Sequence, residues 1–501
     1  MNIHYSDTDF MLQSAVKDRD YLLVFINGQR HELRGSDAFL SLSDYLRLRL
    51  GLIGTKIVCS EGDCGACSVL IGREDSDHDR LVYRAFDSCI LFMYQLDRTH
   101  IVTVEGLKRN GLLSPVQDAM VKCHGSQCGF CTPGFITTMT GLIERKPVDR
   151  HAALTPEEIR YGLSGNLCRC TGYLQIIDAG RAVDPTKTAR LSDLYPDEPI
   201  LEACRRHALD NIRIGDDQRM VSIPAKLEEA VAFRSQHPHC TVIAGATDIG
   251  VQRNKGNIDP KVLLCIGNIA ELKGIERKDT TLAIGACETW SSIEDRMKDL
   301  LPQFHSILTL FGSPQIRHAG TIGGNIANAS PIADSLPFLF VAEAQLELVS
   351  RSGSRVVPIN EFYSGYKQFD LRPDELIARV HIPLPEDGVQ LKLYKVSRRR
   401  DLDISTFTAA LWLKFDGDQE TIREARIAYG GVAPVVLRLP RTENYLSGKQ
   451  FDEQTMLQAG RIARTEISPI TDVRGSEAYR RQLAENIPVK FYYDICQPAG
   501  V

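Results

Sequence analysis

The sequence predicts an α+β multidomain protein, on three observations. Its 501 residues exceed what one hydrophobic core holds. The first third is crowded with cysteines set among short β-type runs and capped helical segments. The remainder interleaves β-type runs with helical patterns, and the one internal repeat is a pair of cysteine loops.

In order, YLLVFINGQRHEL (21–33) reads as two strands about a turn at Asn27-Gly28, a dipeptide suited to tight hairpins. Leucines at 42, 46 and 50 mark a helical stretch, which leads to the loop CSEGDCGAC and the strand Ser68–Ile71. Ser114-Pro115 is a helix cap followed by proline at the first helical position. Thr155-Pro156-Glu157-Glu158 is a capping box with the same device. Residues 109–180 are therefore expected to be mostly helical, with cysteines in the breaks. Pro185, Pro196, Pro199 and many charges make the following stretch read as a linker. Beyond it CTVIAGA, VLLCIG and TLAIGA are β-type runs. The last segment sets the strands LKLYKVS and EARIAYGGV beside the helix EQTMLQAGRIART. The expected domains are 21–107, 108–184, a linker at 185–216, 217–388 and 389–501.

Composition narrows the class. A net charge of -5 and a pI near 6.2 favour neither nucleic acid nor an anionic membrane. No apolar run approaches the roughly 18 residues of a membrane span, and the first twenty residues lack a signal pattern. A cytoplasmic protein is expected.

Nine of the fourteen cysteines fall within residues 59–170. A reducing compartment would keep them as thiols, so such crowding points to metal. Cys204, Cys240, Cys265, Cys287 and Cys496 are scattered and read as small apolar fillers. Cys59-x4-Cys64-x2-Cys67 with Cys89 further on has the plant-type [2Fe-2S] spacing. The competing reading is a zinc-stabilised, non-redox scaffold, but zinc knuckles favour two matched Cys-x2-Cys pairs. CHGSQCGFC repeats the spacing with Cys123, Cys128 and Cys131. Yet Cys168-Arg169-Cys170 then supplies a close pair with nothing else to bind. Cys128, Cys131, Cys168 and Cys170 make a second four-thiolate set, leaving Cys123 at the end of the preceding helix.

The runs GTKIVCSEGDCGACSV, HGSQCGFCTPG and GNLCRCTGY together resemble the iron–sulfur domains of the xanthine dehydrogenase and aldehyde oxidase family. The resemblance extends from near Tyr21 through nearly all of the chain. It departs at Asp63, where many relatives have glycine, and at Leu174-Gln175, where Arg-Pro is usual. It implies a β-grasp plant-type ferredoxin domain, a helical [2Fe-2S] domain, a non-Rossmann α+β FAD-binding domain and a small C-terminal α+β flavoprotein domain.

Two glycine turns follow β-type runs: Val242-Ile243-Ala244-Gly245-Ala246-Thr247-Asp248-Ile249 and Thr321-Ile322-Gly323-Gly324-Asn325. Taken alone they read as ordinary turns sooner than as phosphate cradles, and neither a Rossmann fingerprint nor a P-loop is present. By resemblance these residues cradle the FAD pyrophosphate and ribose. Asp334 then binds the adenosine side, Phe311 lies against the isoalloxazine, and Ile377 and Lys395 sit near the flavin. Without the resemblance Phe311 and Ile377 read as core and Lys395 as a solvated loop residue.

The resemblance further implies an electron-transfer chain to NAD+ as acceptor, serving hypoxanthine and xanthine oxidation to urate in purine catabolism. A molybdenum-pterin cofactor is expected on a separate large subunit, in an α2β2 heterotetramer, with Gln127 reaching the pterin. The chain stops at Val501, inside or just after the flavin module, which fits that division. The same module could serve an aldehyde or N-heterocycle hydroxylase.

Overall fold

The computed structural model describes residues 18–75, 78–108, 110–146, 153–417 and 420–497. The expected hairpin forms: Leu22–Ile26 pairs antiparallel with Gln29–Leu33, and Asn27 and Gly28 both take positive φ (49° and 80°) as a two-residue turn demands. Thr99–Val102 adds parallel to Leu22–Ile26, then Ser68–Asp75 and Arg80–Asp87 complete a five-stranded sheet. The predicted helix is a short turn, Leu42–Asp44, running into a wider π-helical turn at Tyr45–Arg49. Leu42 and Leu46 still reach the core, while Leu48 is exposed.

Helices Pro115–Lys122, Thr132–Glu144, Pro156–Gly162 and Leu174–Ala182 make up the next region. Thr155 Oγ1 accepts from the Glu158 N–H at 3.2 Å, and the Glu158 carboxylate accepts from the Thr155 N–H at 2.8 Å, which is the predicted capping box. Ser114 and Gln117 form a second box that the sequence reading had taken only as a cap.

Residues 185–216 are not a loose linker. Helix Asp197–Arg205 buries Ile200, Leu201 and Cys204 in the core shared by the first sheet and the helices. The i, i+1, i+4 spacing of those three residues gives a helix one apolar face, a signal hidden among the prolines and charges. Strand Asn211–Gly215 then pairs antiparallel with Met220–Ile223 and parallel with Asp18–Arg19. The segment straps the two halves together. Buried Arg19 locks that strap through Asp97 at 2.8 Å and Asp210 at 3.1 Å. Residues 1–17, part of the N-terminal stretch that the resemblance does not cover, lie outside the described residues.

The flavin-like region has two sheets. One carries Met220–Ile223, Val262–Cys265 and Thr241–Ile243; the other is antiparallel and centred on Leu376–Pro383. The last region is a four-stranded antiparallel sheet beginning at Gln390–Val396. Helices Glu453–Glu466 and Glu477–Cys496 pack with it around Met456, Ala459 and Phe491. No helix among the described residues is long and apolar enough to cross a membrane.

Candidate redox centres and flavin cleft

The first cysteine set gathers at one end of the first sheet. Cys59, Cys64 and Cys67 come from the loop before Ser68–Asp75, and Cys89 follows Arg80–Asp87. The Cys59 thiol interacts with those of Cys64 and Cys89, which draw its pKa down, and Cys89 interacts in turn with Cys67. The Glu61 N–H donates to Cys59 Sγ at 3.4 Å, and an N–H at Ala66 serves Cys64. Gly65 adopts φ +65°, and a Cβ there would lie 2.3 Å from the Gly165 carbonyl oxygen. The loop is therefore pressed against the segment that leads into Cys168.

The second set forms two thiol pairs: Cys170 with Cys128 at 3.5 Å, and Cys131 with Cys168. Cys131 stands at the start of helix Thr132–Glu144, and Cys168 and Cys170 shortly precede helix Leu174–Ala182. Backbone N–H groups at Phe130 and Thr171 favour the Cys128 and Cys168 thiolates. Cys123 caps the preceding helix and packs on the helical core, so these four thiols meet without it. Among the described residues no three His, Cys, Asp or Glu side chains converge as the ligands of one ion. Paired thiols fit a two-iron centre better than a single tetrahedral zinc.

A buried amide network joins these loops. Asn166 Nδ2 donates to the Gly65 carbonyl at 3.0 Å and to Ser68 Oγ at 3.4 Å, while Gln315 Nε2 donates to Asn166 Oδ1 at 2.9 Å. The Leu167 N–H donates to the Cys64 carbonyl at 3.0 Å. Each cysteine set thus touches the other through the backbone next to a thiol. The sequence reading missed Asn166 and Gln315; a polar residue beside LCRC and another inside SPQIRHAG were the available signals.

A cavity of about 340 Å³ opens between the glycine turns. Val242, Ala244, Gly245, Ala246, Thr247, Asp248, Ile249, Thr321, Gly323, Gly324 and Asn325 line it, as do Phe311 and Ile377. Ile243 and Ile322 point the other way, fully buried as core anchors. Helices Thr247–Asn254 and Ile322–Asn328 begin at its wall, so their N-terminal amides suit an anionic diphosphate. Gly245 has a second reason to be glycine, since a Cβ would stand 2.0 Å from the Ala319 carbonyl oxygen. Phe311 meets Trp290 edge-on with ring centres 5.0 Å apart.

Asp334 and Lys395 are placed otherwise than expected. They form a buried ion pair, Nζ to Oδ2 at 2.5 Å, and Ser405 Oγ donates to the same carboxylate at 2.6 Å. Neither side chain lines the cavity between the glycine turns. Just beyond Lys395, the Arg399 charge acts on Asp63 of the first cysteine loop.

The first cysteine set also abuts the cavity. Asn254 Nδ2, on the helix that begins at Thr247, donates to the Cys89 carbonyl at 2.8 Å and the Ser60 carbonyl at 3.0 Å. Ile316 lines the cavity and packs against Cys67, Cys89 and Ile90.

Comparison with known proteins accords with this arrangement. Residues 24–91 match the 2Fe-2S iron-sulfur cluster binding domain and 103–181 the [2Fe-2S] binding domain. Residues 216–385 match the FAD binding domain in molybdopterin dehydrogenase, and 392–495 the CO dehydrogenase flavoprotein C-terminal domain. Rat xanthine dehydrogenase/oxidase is 30% identical across 96% of this chain, and the chicken protein 29% across 95%. The chain belongs to the xanthine dehydrogenase/aldehyde oxidase family, as an iron–sulfur and FAD-binding chain. Human aldehyde oxidase is 29% identical across 95% of it. The chain spans 40% of the chicken protein's length and 39% of the rat and human ones. A solved carbon monoxide dehydrogenase from Hydrogenophaga pseudoflava aligns with a TM-score of 0.52 at 28% identity, covering 54% of this chain and 94% of its own. Quinoline 2-oxidoreductase from Pseudomonas putida 86 gives 0.51 at 27%, covering 55% and 96%. The chain is thus a two-cluster, flavin-type electron-transfer module of α+β architecture.

Proposed function

We propose that this chain is the electron-transfer subunit of a molybdenum-dependent xanthine dehydrogenase, carrying electrons from a partner's molybdenum-pterin centre to NAD+. Two [2Fe-2S] clusters would supply one-electron steps and FAD the conversion to a two-electron transfer. Cys128, Cys131, Cys168 and Cys170 would hold the entry cluster, and Cys59, Cys64, Cys67 and Cys89 the inner one. The carrying observation is the unbroken contact from surface to cavity. Cys128 and Cys170 are exposed, Leu167 bonds the Cys64 carbonyl, and Asn254 bonds the Cys89 carbonyl from the helix at the flavin cavity.

The chain's own residues set the geometry. The Asn166–Gln315 network holds the two cysteine loops and the flavin region in one register. Amides of the two glycine turns would receive the diphosphate, with Phe311 and Ile377 against a ring of the cofactor. Asp334 and Lys395 would act together at one end of it. Exposed Phe130 and Leu174 frame the entry cysteines with apolar surface, suited to being covered by a large subunit, and Gln127 would face its pterin. Relatives much longer than this chain support such a partner, which we place in an α2β2 assembly. Hypoxanthine and xanthine as substrates rest on the xanthine dehydrogenases among those relatives. The aldehyde oxidase and quinoline 2-oxidoreductase matches keep an aldehyde or N-heterocycle hydroxylase as the second reading.

The test is reconstitution. The purified chain should oxidise NADH with an artificial acceptor, and should couple xanthine to NAD+ only once the molybdenum subunit is added. Xanthine hydroxylation by this chain alone, free of molybdenum, overturns the proposal.

A further inference from the structure

Behind the flavin cavity lies a second one of about 400 Å³, a half-open cleft between the first sheet and loops of the flavin region. The two share Ala244, Gly245, Cys287 and Thr321, with Gly245 packed close against the Ala319 carbonyl. The rest of the second cavity's lining lies outside the flavin reading. One side is apolar, with Phe86 and Leu91 buried in the core. The other side is polar and carries Arg73, Lys273, Asn268 and Ser292.

Most of the charges on its walls are already engaged. Glu74 pairs with Arg205 at 2.7 Å, and Asp75 with His78 at 2.9 Å. Glu288 accepts from the Gly274 N–H at 2.8 Å, and Arg84 reaches Asp295 at 3.1 Å. Among the described residues Arg73 finds only the Asn268 amide oxygen, at 3.4 Å, and Lys273 makes no ion pair, although the Glu288 charge acts on it. Lys273 is solvent-exposed as a residue, although protein atoms crowd its ammonium. Burial pushes its pKa down and the neighbouring Arg73 charge pushes it further; burial depresses Arg73 as well. Two domains therefore each present a cation without an ion-pair partner to one half-open cleft.

We propose that this cavity binds a small organic phosphate of nucleoside-monophosphate size, its phosphate between Arg73 and Lys273 and its body against Phe86. Guanidinium and ammonium groups are the side chains suited to phosphate oxygens, and an anion between them relieves their repulsion. The volume lies within the range of small-molecule sites. His318 adds selectivity for a hydroxyl or amino group on the ligand. Its Nδ1 faces the Ala85 carbonyl at 2.7 Å, and burial keeps the ring neutral, leaving Nε2 as an acceptor. The site bridges the inner cysteine domain and the flavin region, so its occupant would brace their contact.

Calorimetric titration of the full chain, loaded with clusters and saturating FAD, tests this with adenosine monophosphate, adenosine and inorganic phosphate. The monophosphate should bind at least tenfold tighter than either fragment. Arg73→Gln and Lys273→Gln should each weaken it tenfold or more with the flavin and cluster spectra unchanged. Neither substitution should lower the melting temperature of the ligand-free chain, because neither removes a native ion pair. The proposal is overturned if the monophosphate binds no better than adenosine, if FAD displaces it, or if the double variant still binds it.

Discussion

Replacing Asn166 with alanine should separate the three elements that its amide joins. Asn166 is 2% exposed. It gives up good hydrogen bonds to the Gly65 carbonyl at 3.0 Å and from Gln315 at 2.9 Å, and a longer one to Ser68 Oγ. The partners are not left wholly bare. The Gly65 carbonyl keeps Ser68 Oγ at 2.8 Å, and Gln315 Nε2 keeps Ser68 Oγ at 3.3 Å. Two lost bonds at about 1 kcal/mol each, with a small void, give a destabilisation of about 2–3 kcal/mol. Urea unfolding, followed through buried Trp290 fluorescence and cluster absorbance, measures it. Gln315→Ala provides a cycle whose coupling energy should be about 1 kcal/mol, because the two amides share one bond. A loss below about 0.5 kcal/mol, or strictly additive single variants, would refute the claim that this network ties the cysteine loops to the flavin region.

Cys64→Ser and Cys131→Ser should each remove one of two distinct reduced-cluster paramagnetic signals and about half the iron, whereas Cys123→Ser should leave both signals; loss of a cluster in the Cys123 variant restores the copied-loop reading. Phe311→Ala should weaken FAD retention by roughly 5-fold, from a ring contact worth about 1 kcal/mol, with both clusters intact; unchanged FAD affinity in equilibrium dialysis would remove Phe311 from the site. Burial pushes the His100 pKa down to about 4, with Nε2 accepting from the Gly28 N–H at 3.0 Å and Nδ1 2.6 Å from Tyr83 Oη. Its neutral form is the folded one, so its contribution is full above pH 6.5 and is lost as pH falls toward 4, at about 1.4 kcal/mol per unit; urea midpoints across that window should show the slope, and His100→Gln should abolish it.

What was legible in the sequence was local. Asn27-Gly28 permits little but a tight turn, and Thr155 with Glu158 satisfies its own helix end. Cysteine spacing gathers thiols within one loop, and the helix that Ser114-Pro115 starts ends on Cys123. What was not legible depended on distant segments meeting. Asp18–Arg19 finds Asn211–Ile212 far along the chain, and nothing in VKDRDY announces it. The segment at 185–216 was disguised by prolines that begin helices rather than break them, such as Pro185. Asp334 and Lys395 were each assignable by resemblance, but only the fold reveals that they touch. The Arg73–Lys273 cavity exists only because two domains close on it.

The central claim is that the flavin cavity and the exposed Cys128/Cys170 end are joined by one electron path through this chain. Anaerobic NADH added to the full chain, with freeze-quenched paramagnetic spectra, tests it most directly. The account predicts flavin bleaching and then both cluster signals, with the signal lost in Cys64→Ser appearing before the one lost in Cys131→Ser. Flavin reduction that leaves either cluster oxidised at equilibrium, even though dithionite reduces it, would contradict the path.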